Sequence, residues 1–360
     1  MRVYDRMIAL SHEHDLRLIL PFVDHWKWWG GRVQLAEFYG EGEDALYDVN
    51  SQTYRAYQDI IRQVILRKNT ITGRLYRDEK AIMAWETGNE LLGTNEAFLN
   101  KTVDLIASLD SKHLIVDGTY TRINDYSLKH PEVDIISNHY YTNVGNNNPE
   151  QVLKDLKEID GKKVYLVGEF GLLSAKELND IMQSVVHSEH NGAKAAGGLI
   201  WGFRGHRHNG GFYWHQEWTG HYSYHLPGFP EGDGNEEQAV VDLVRLAQAQ
   251  MSGLDAAPAL PVPEAPVLRA IEDPSAINWM GSPLGRFYRV ERSYKGKLTV
   301  IAEKHSDGMN QFDPEQHSVF SDGETLKKGK YCYRVSAINE SGMSAPSNKQ
   351  CVKVKVAAAK

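Results

Sequence analysis

Six short runs rich in apolar and β-branched residues alternate with longer segments whose apolar residues fall three and four apart, and few architectures accommodate that alternation. The runs are Arg17 to Val23, Ala81 to Trp85, His113 to Asp117, Val133 to Tyr140, Lys163 to Val167 and Gly197 to Phe203. Between them lie Tyr54 to Leu66, Asn95 to Leu109, Pro149 to Ile159 and Ala175 to His190, each with the period of a helix packed on a sheet. Repeated βα units predict a parallel sheet. Residues 4 to 15 share the helical spacing, so a helix precedes the first predicted strand and the sequence reads as though it begins in mid-repeat.

Composition narrows the function classes. The chain has 360 residues, 41% hydrophobic and 24% charged, enough for one large domain and a small one. A formal charge of −7 offers nucleic acid no basic surface. No apolar stretch reaches the length of a membrane span. The first residues, Met1 to Met7, lack the apolar core of a secretory signal. The two cysteines, Cys332 and Cys351, are too few for a disulfide framework or a four-thiolate zinc site.

Residues 255–266 hold four of the thirteen prolines and predict an extended, semi-rigid linker between a domain spanning 1–254 and another spanning 267–360. After the linker the period changes to about two. Ala276 to Trp279, Phe287 to Ser293 and Tyr331 to Asn339 read as strands separated by turns.

Two of the apolar runs before the linker end in glutamate: Trp85-Glu86-Thr87-Gly88-Asn89-Glu90 and Val167-Gly168-Glu169-Phe170-Gly171. A carboxylate at the end of a strand lies at the sheet edge where parallel α/β folds build their sites. Alternation predicts that Ile135, Ser137, His139 and Tyr141 share one face, as do Tyr165, Val167 and Glu169, and as do Leu199, Trp201 and Phe203. Asp24-His25, Asn89-Glu90, Asp117, His139 with Tyr141, Glu169 and Trp201 then gather at one rim, with Asp24 and His25 either lining the pocket or capping a loop. Glu86, on the same parity as Glu90 but further back, reads as structural support.

Taken in order, Trp85-Glu86-x-x-Asn89-Glu90, His139-x-Tyr141, Gly168-Glu169-Phe170-Gly171 and Trp201 resemble the retaining glycoside hydrolases of family 5, most closely their endo-β-1,4-mannanase branch, over roughly residues 1 to 250. The resemblance implies an α/β fold, a (β/α)8 TIM barrel lacking its first βα units, with Glu90 as acid/base and Glu169 as nucleophile. It implies that Asn89 holds the sugar 2-hydroxyl, Tyr141 bonds the nucleophile, His139 supports the site and Trp201 floors the subsite of the scissile sugar. Retaining chemistry needs the carboxyls roughly 5 Å apart, with Glu90 protonated at the start of the cycle and donors keeping Glu169 ionised. Residues 267–360 resemble a fibronectin type III β-sandwich with Trp279 in its core and Tyr331 as the tyrosine corner. Cys332 and Cys351 would lie on neighbouring strands there, and two separate thiols are the expectation over a cross-strand disulfide.

Trp26, Trp28 and Trp29 follow the first strand, and Tyr213, Trp214, Trp218, Tyr222 and Tyr224 follow the last, so flat rings suited to pyranose faces concentrate in rim loops. Trp26 and Trp214 are the candidate substrate platforms, although any one ring could simply pack its own loop. His206, His208, His215, His221 and His225 lack helical zinc spacing and are expected to bond sugar hydroxyls or one another; no metal or other cofactor is expected.

The expected partner is a polysaccharide or oligosaccharide, namely mannan, glucomannan or β-glucan, with no nucleic acid and no membrane. The alternatives are an endo-β-1,4-glucanase of the same family and a non-catalytic carbohydrate-binding protein on a degenerate barrel. Two departures accompany the resemblance: Leu91 stands where many relatives have proline, and the arginine the family places near the nucleophile has no counterpart. A six-stranded sheet would leave two edges unpaired, and two copies could form a homodimer through that gap. Family resemblance implies an extracellular or cell-surface location.

Overall fold

The computed structural model describes residues 1–28, 30–213, 215–221, 223–229, 236–308 and 318–355. The chain divides into two compact units, one of residues 1–170 with 183–200 and the other of residues 171–182 with 201–360.

The first unit is built from βα repeats. Its elements run α1 (Arg2–Glu13), β1 (Leu18–Pro21), α2 (Arg32–Phe38), α3 (Gln52–Ile65), β2 (Ile82–Glu86), α4 (Glu96–Leu109), β3 (Leu114–Asp117), α5 (Asp125–Lys129), β4 (Ile135–Tyr140), α6 (Pro149–Ile159), β5 (Val164–Gly171), α7 (Ala175–His187) and β6 (Ala195–Trp201), the last residues of β5 and β6 and part of α7 falling in the second unit. The six strands form one sheet in chain order, and β1 to β5 pair in parallel. Every predicted strand and helix has its counterpart. Three helices do not appear among the predictions: the seven-residue α2, the five-residue α5 and, in the second unit, α8 (Glu237–Met251). In α8 the buried Val240, Val241 and Ala247 carry the helical spacing that identifies it.

Local signals explain the helix starts. Ser51, Asn95 and Asn148 each precede a helix and accept a bond from the backbone N–H three residues on, at 2.9, 3.0 and 3.0 Å. Pro149, which has no N–H to lose, opens α6. One stripe of α3, Tyr54, Tyr57, Ile61 and Ile65, is fully buried, as are Phe98, Leu99, Val103 and Ile106 of α4. Each such side chain contributes about 1.5–3 kcal/mol, which fixes these helices on the sheet more firmly than their propensity does. On the opposite face, Ala84, Val116 and Ile135 form an apolar layer with Ile19 and Leu166, one residue from each of β1 to β5. That layer supports the polar residues at the strand ends.

The second unit continues with α8 and seven short strands: β7 (Val267–Leu268), β8 (Trp279–Met280), β9 (Phe287–Tyr294), β10 (Lys297–His305), β11 (Gly329–Asn339), β12 (Gly342–Met343) and β13 (Gln350–Val354). β9 and β10 flank β11 on one side, β12 and β13 pair with β11, and all these pairings are antiparallel. Lys295 and Gly296, both with positive φ, make the two-residue turn between β9 and β10, a geometry that favours glycine at the second position. Trp279 is fully buried with Tyr288, Val290, Tyr333 and Val335, as expected of a core residue, while the Tyr331 ring stacks on Tyr294 at 4.5 Å.

The expectation of two separate thiols is corrected here: Cys332 and Cys351 form a disulfide. The two residues are direct register partners on β11 and β13, so their side chains leave the sheet side by side. Residues 255–266 hold no helix or strand, but they are tied down. Carbonyls of Pro258, Leu260 and Pro261 accept bonds from Arg245, Ser341 and Asn339 respectively.

Candidate active site

The strand ends of the first unit bring two glutamates onto one histidine. Nδ1 of His139, just before the end of β4, lies 2.9 Å from Glu90 Oε1 and 3.4 Å from Glu169 Oε2. One oxygen of each carboxylate and a ring nitrogen of His139 all lie within 4.8 Å of one another. Tyr141 donates its hydroxyl to Glu169 Oε2 at 2.7 Å, and the indole Nε1 of Trp26 donates to Glu90 Oε2. Among the described residues, Tyr141 and His139 are the two side chains within bonding or ion-pair distance of Glu169. No arginine joins them there.

How Glu169 reaches this face corrects the predicted parity. Tyr165 points its hydroxyl at Tyr140 and at Asp155 on α6, the helix side of the sheet, while Leu166 packs in the apolar layer on the other side. Simple alternation would send Glu169 after Tyr165 and Val167, away from the site. The pairing of β4 with β5 instead shifts between Asn138 and His139: Asn138 faces Val167, His139 faces Glu169, and Gly168 is skipped. This bulge turns Glu169 onto the face of Ser137 and His139. A Cβ at Gly168 would stand 2.0 Å from Ser137 Oγ and 2.9 Å from His139 Nε2, so the bulge needs glycine. On β4 the expected face holds: Ile135 and His139 look inward, whereas Asn138 and Tyr140 bond Asp155.

Glu90 sits just past β2 with φ of +55°, a left-handed backbone that costs a non-glycine residue about 1–3 kcal/mol. Bonds on both sides hold it there. Asn89 N–H donates to the Val23 carbonyl at 2.7 Å, His25 N–H to the Asn89 carbonyl at 2.9 Å, and Leu91 N–H to the Gly118 carbonyl at 2.9 Å. Such imposed strain belongs to sites that need one side chain in one place.

Burial and neighbouring charge set the protonation pattern. Burial pushes the Glu169 carboxyl above its ordinary range, and the charge of Glu90 adds to this; the His139 charge and the Tyr141 hydrogen bond oppose it. Glu86, buried on β2 as expected of a supporting residue, is pushed up to about 7, chiefly by burial. Burial disfavours the charged His139 ring, but the Glu90 hydrogen bond and the charges of Glu169, Glu90 and Glu86 outweigh it, so its pKa is raised. The Tyr141 hydroxyl, buried and facing Glu169, is held firmly protonated.

The remaining candidates are less central. Asn89 bonds the Asp24 side chain, and Asp24 accepts from Trp26 N–H at 2.8 Å, so Asp24 braces the loop after β1. His25 is buried between Arg32 and Tyr47 and is pushed down to about 4, first by burial and then by the Arg32 charge. Asp117 bonds Thr119 and Ser127 at the end of β3. Trp201 belongs to the second unit, where its indole donates to Glu217 at 3.1 Å and Arg204 lies over its ring. Trp214, Trp29 and Tyr222 lie outside the described residues.

The histidine-rich segment is held by protein groups. His206 faces Asp307 at 3.5 Å, His215 faces Glu217 at 3.1 Å, and His225 is buried against Glu237. Among the described residues the one grouping of three metal-type donors is Glu90, His139 and Glu169. Those donors bond each other, Trp26 and Tyr141, the pattern of an acid–base site. Sequence reasoning missed the Trp26 indole as a donor to Glu90. Its place two residues past Asp24, on the loop after the strand next to β2, is the signal that points to it.

Residues 2–160 match the family model described as GH family 5 beta-mannosidase-like. Mannan endo-1,4-beta-mannosidase 5 of Solanum lycopersicum is 28% identical over 252 residues, covering 55% of this chain and 60% of that protein. Mannan endo-1,4-beta-mannosidase 1 of Arabidopsis thaliana is 32% identical over 121 residues, covering 32% of this chain and 29% of that one. The chain thus spans about three fifths of the length of the tomato protein it matches. Among solved structures, the endo-beta-1,4-mannanase from Thermotoga petrophila is similar at a TM-score of 0.55 and 17% identity, over 98% of this chain and 82% of that one. The family 5 mannosidase from Rhizomucor miehei gives 0.55 at 15% identity, over 70% and 76%. In fold, the six-stranded sheet with its helices corresponds to part of the (β/α)8 barrel of these structures.

Proposed function

We propose that this chain, whose residues 2–160 match the family 5 mannosidase-like model, hydrolyses β-1,4-linked mannan or glucomannan with retention of configuration, Glu169 acting as nucleophile and Glu90 as acid/base. The observation that carries the reading is the approach of the two carboxylates within 4.8 Å around His139. Retaining enzymes hold their carboxyls about 5–5.5 Å apart, whereas inverting ones keep about 6.5–9.5 Å for a water. Mannan is preferred to glucan because the related proteins are named for mannan.

In the first step a Glu169 oxygen bonds to the anomeric carbon as the glycosidic C–O bond breaks, and Glu90 gives its proton to the departing oxygen. In the second, water bonds to the same carbon, Glu90 takes a proton from that water, and the ester to Glu169 breaks. The pattern around Glu169 suits this cycle: its burial disfavours an isolated charge, and Tyr141 and His139 supply the donors that let it ionise. His139 Nδ1 faces both oxygens and links the two carboxylates, so a change of charge on one is felt at the other.

The remaining assignments are part of the same proposal. Asn89 and Trp26 contact sugar. Residues 267–360 are a fibronectin type III-like module after the 255–266 linker, and the protein works outside the cell, where the Cys332–Cys351 disulfide is at home.

Reducing-sugar release from mannan, glucomannan and carboxymethylcellulose in parallel tests the substrate, and the anomer first formed, read by proton NMR, tests the stereochemistry. We expect release from the mannans with the β-anomer first. Turnover of cellulose alone would overturn the substrate, and the α-anomer first would overturn retention. Glu169→Ala should abolish hydrolysis while binding of mannooligosaccharides persists.

A further inference from the structure

Trp26 lies in a loop whose aromatic residues suit sugar stacking, yet its polar edge is committed elsewhere. The indole nitrogen can only donate, and it donates to Glu90 Oε2. The other oxygen of Glu90 faces His139 Nδ1. Both oxygens of the acid/base therefore face protein donors before any substrate arrives.

The loop is built to hold this contact. Asp24 Oδ1 accepts Trp26 N–H at 2.8 Å, and the Asp24 carbonyl accepts Arg32 N–H at 2.8 Å. A Cβ at Gly31 would stand 1.7 Å from the Trp26 carbonyl, so the chain folds back on itself tightly. His25 packs edge-on to the Trp26 ring with centroids 4.8 Å apart, and its own imidazole is pinned by Arg32 and Tyr47. The ring is thereby fixed on its carboxylate side and remains only half-buried.

We infer that Trp26 is a positioning residue for the acid/base: its indole N–H fixes the Glu90 carboxyl and stabilises the negative charge that appears on it as the proton leaves for the glycosidic oxygen. This rests on the hydrolase reading of the same site. No atom is exchanged with Trp26; the proton goes from Glu90 to the leaving oxygen, the bonding pair of the C–O bond goes with that oxygen, and the indole keeps its hydrogen. A fixed neutral donor aimed at a charge that develops during reaction acts mainly in the transition state.

The other groups around Glu90 do not duplicate the role. Asp24 and Glu169 carry charge of the same sign as the one being formed, Glu86 is a buried carboxyl whose neutral form is favoured, Tyr141 gives its hydroxyl to Glu169, and the Tyr120 side chain bonds Asn143. His25 is held neutral beside Arg32, whose charge pairs with the carboxylates of Glu43 and Asp44 at 3.6 and 3.2 Å. Among the described residues His139 matches Trp26 as a donor to Glu90, and it is shared with Glu169.

Trp26→Phe keeps a stacking face and removes the N–H. For mannooligosaccharides, whose leaving group needs its proton, kcat/KM should fall about 10–100-fold. For 2,4-dinitrophenyl β-mannobioside, whose leaving group needs none, kcat/KM should fall less than about threefold. The alkaline limb of kcat/KM on the oligosaccharide should also move, because a donor to the acid/base has gone. Equal losses on the two substrates with an unmoved limb would overturn the inference and leave Trp26 a sugar platform. In the wild-type chain, the indole N–H resonance of Trp26 in a nitrogen-15 spectrum should titrate with pH and lose that dependence in Glu90→Gln. A resonance that ignores that substitution would overturn the inference without any variant at position 26. Wild-type protein that cleaves neither substrate would sink the hydrolase reading, while the indole resonance still decides the contact.

Discussion

His139 and Glu169 are register partners across β4 and β5, one residue out of the alternation that the rest of β5 keeps. The skipped residue is Gly168, and the whole carboxylate pair depends on it. A side chain there would press on the Ser137 hydroxyl and on the far edge of the His139 ring.

Gly168→Ala should therefore damage the site more than the fold. Overpacking of this kind costs about 1–3 kcal/mol, and displacing His139 disturbs both glutamates at once. We expect a thermal midpoint a few degrees lower and hydrolysis down by about 10-fold or more, since misplacement of this order is costly in catalysis. A variant as active as the wild type would mean that the bulge does not place Glu169.

Tyr141→Phe bears on the nucleophile. Glu169 is already pushed up by burial and by Glu90, and the Tyr141 hydroxyl is one of the groups pulling it back. Without that donor the carboxyl rises further, so more alkaline conditions are needed to ionise it. The acid limb of kcat/KM should shift to higher pH, measured on mannooligosaccharides in overlapping buffers. A shift to lower pH would contradict the role given to Glu169.

Glu86 supplies a stability prediction with a definite sign. Its folded pKa, about 7, lies above the ordinary 4.5, so the neutral carboxyl is the form the fold favours. The stabilisation is present in full below 4.5 and is lost as pH rises through about 7. Glu86→Gln, neutral at every pH, should match the wild type at about pH 4 and exceed it at about pH 8 by roughly 3 kcal/mol at most. Urea unfolding at both pH values reads the difference. Equal stability at both would show that Glu86 stays charged in the folded protein.

The disulfide closes a loop of sequence separation 19 in the second unit. Chain-entropy reasoning gives it about 3 kcal/mol. Thiol titration of the unfolded, unreduced chain should find no free thiol, and Cys332→Ser should lower the melting of the 267–354 strands, followed by near-ultraviolet dichroism. Two titratable thiols in protein purified without reductant would refute the bond.

Much of the fold was legible because its signals are local. The strands of the first unit announce themselves as apolar runs, and Ser51, Asn95 and Asn148 mark helix starts within three residues of the bonds they make. Glu90 and Glu169 were legible for the same reason: each ends such a run. What escaped was relational. Parity along β5 failed because a skipped residue belongs to the pairing of two strands and leaves no trace in one strand's pattern. The disulfide escaped because only the alignment of β11 with β13 sets Cys332 opposite Cys351. Trp26 was read by its ring, while its place in the structure is decided by its nitrogen, which depends on a carboxylate 64 residues away in sequence.

The proline-rich run before the β-strands was expected to act as a spacer, yet Arg245, Ser341 and Asn339 hold its carbonyls and Leu260 is buried. A protease must draw an extended, released segment of backbone into its cleft, and this run has neither slack nor free carbonyls at those points. Composition marks it as the natural place to cut the chain in two. Its bonding makes it a seam that resists cutting, so a fragment ending near residue 254 would leave Arg245 without the Pro258 carbonyl it now holds.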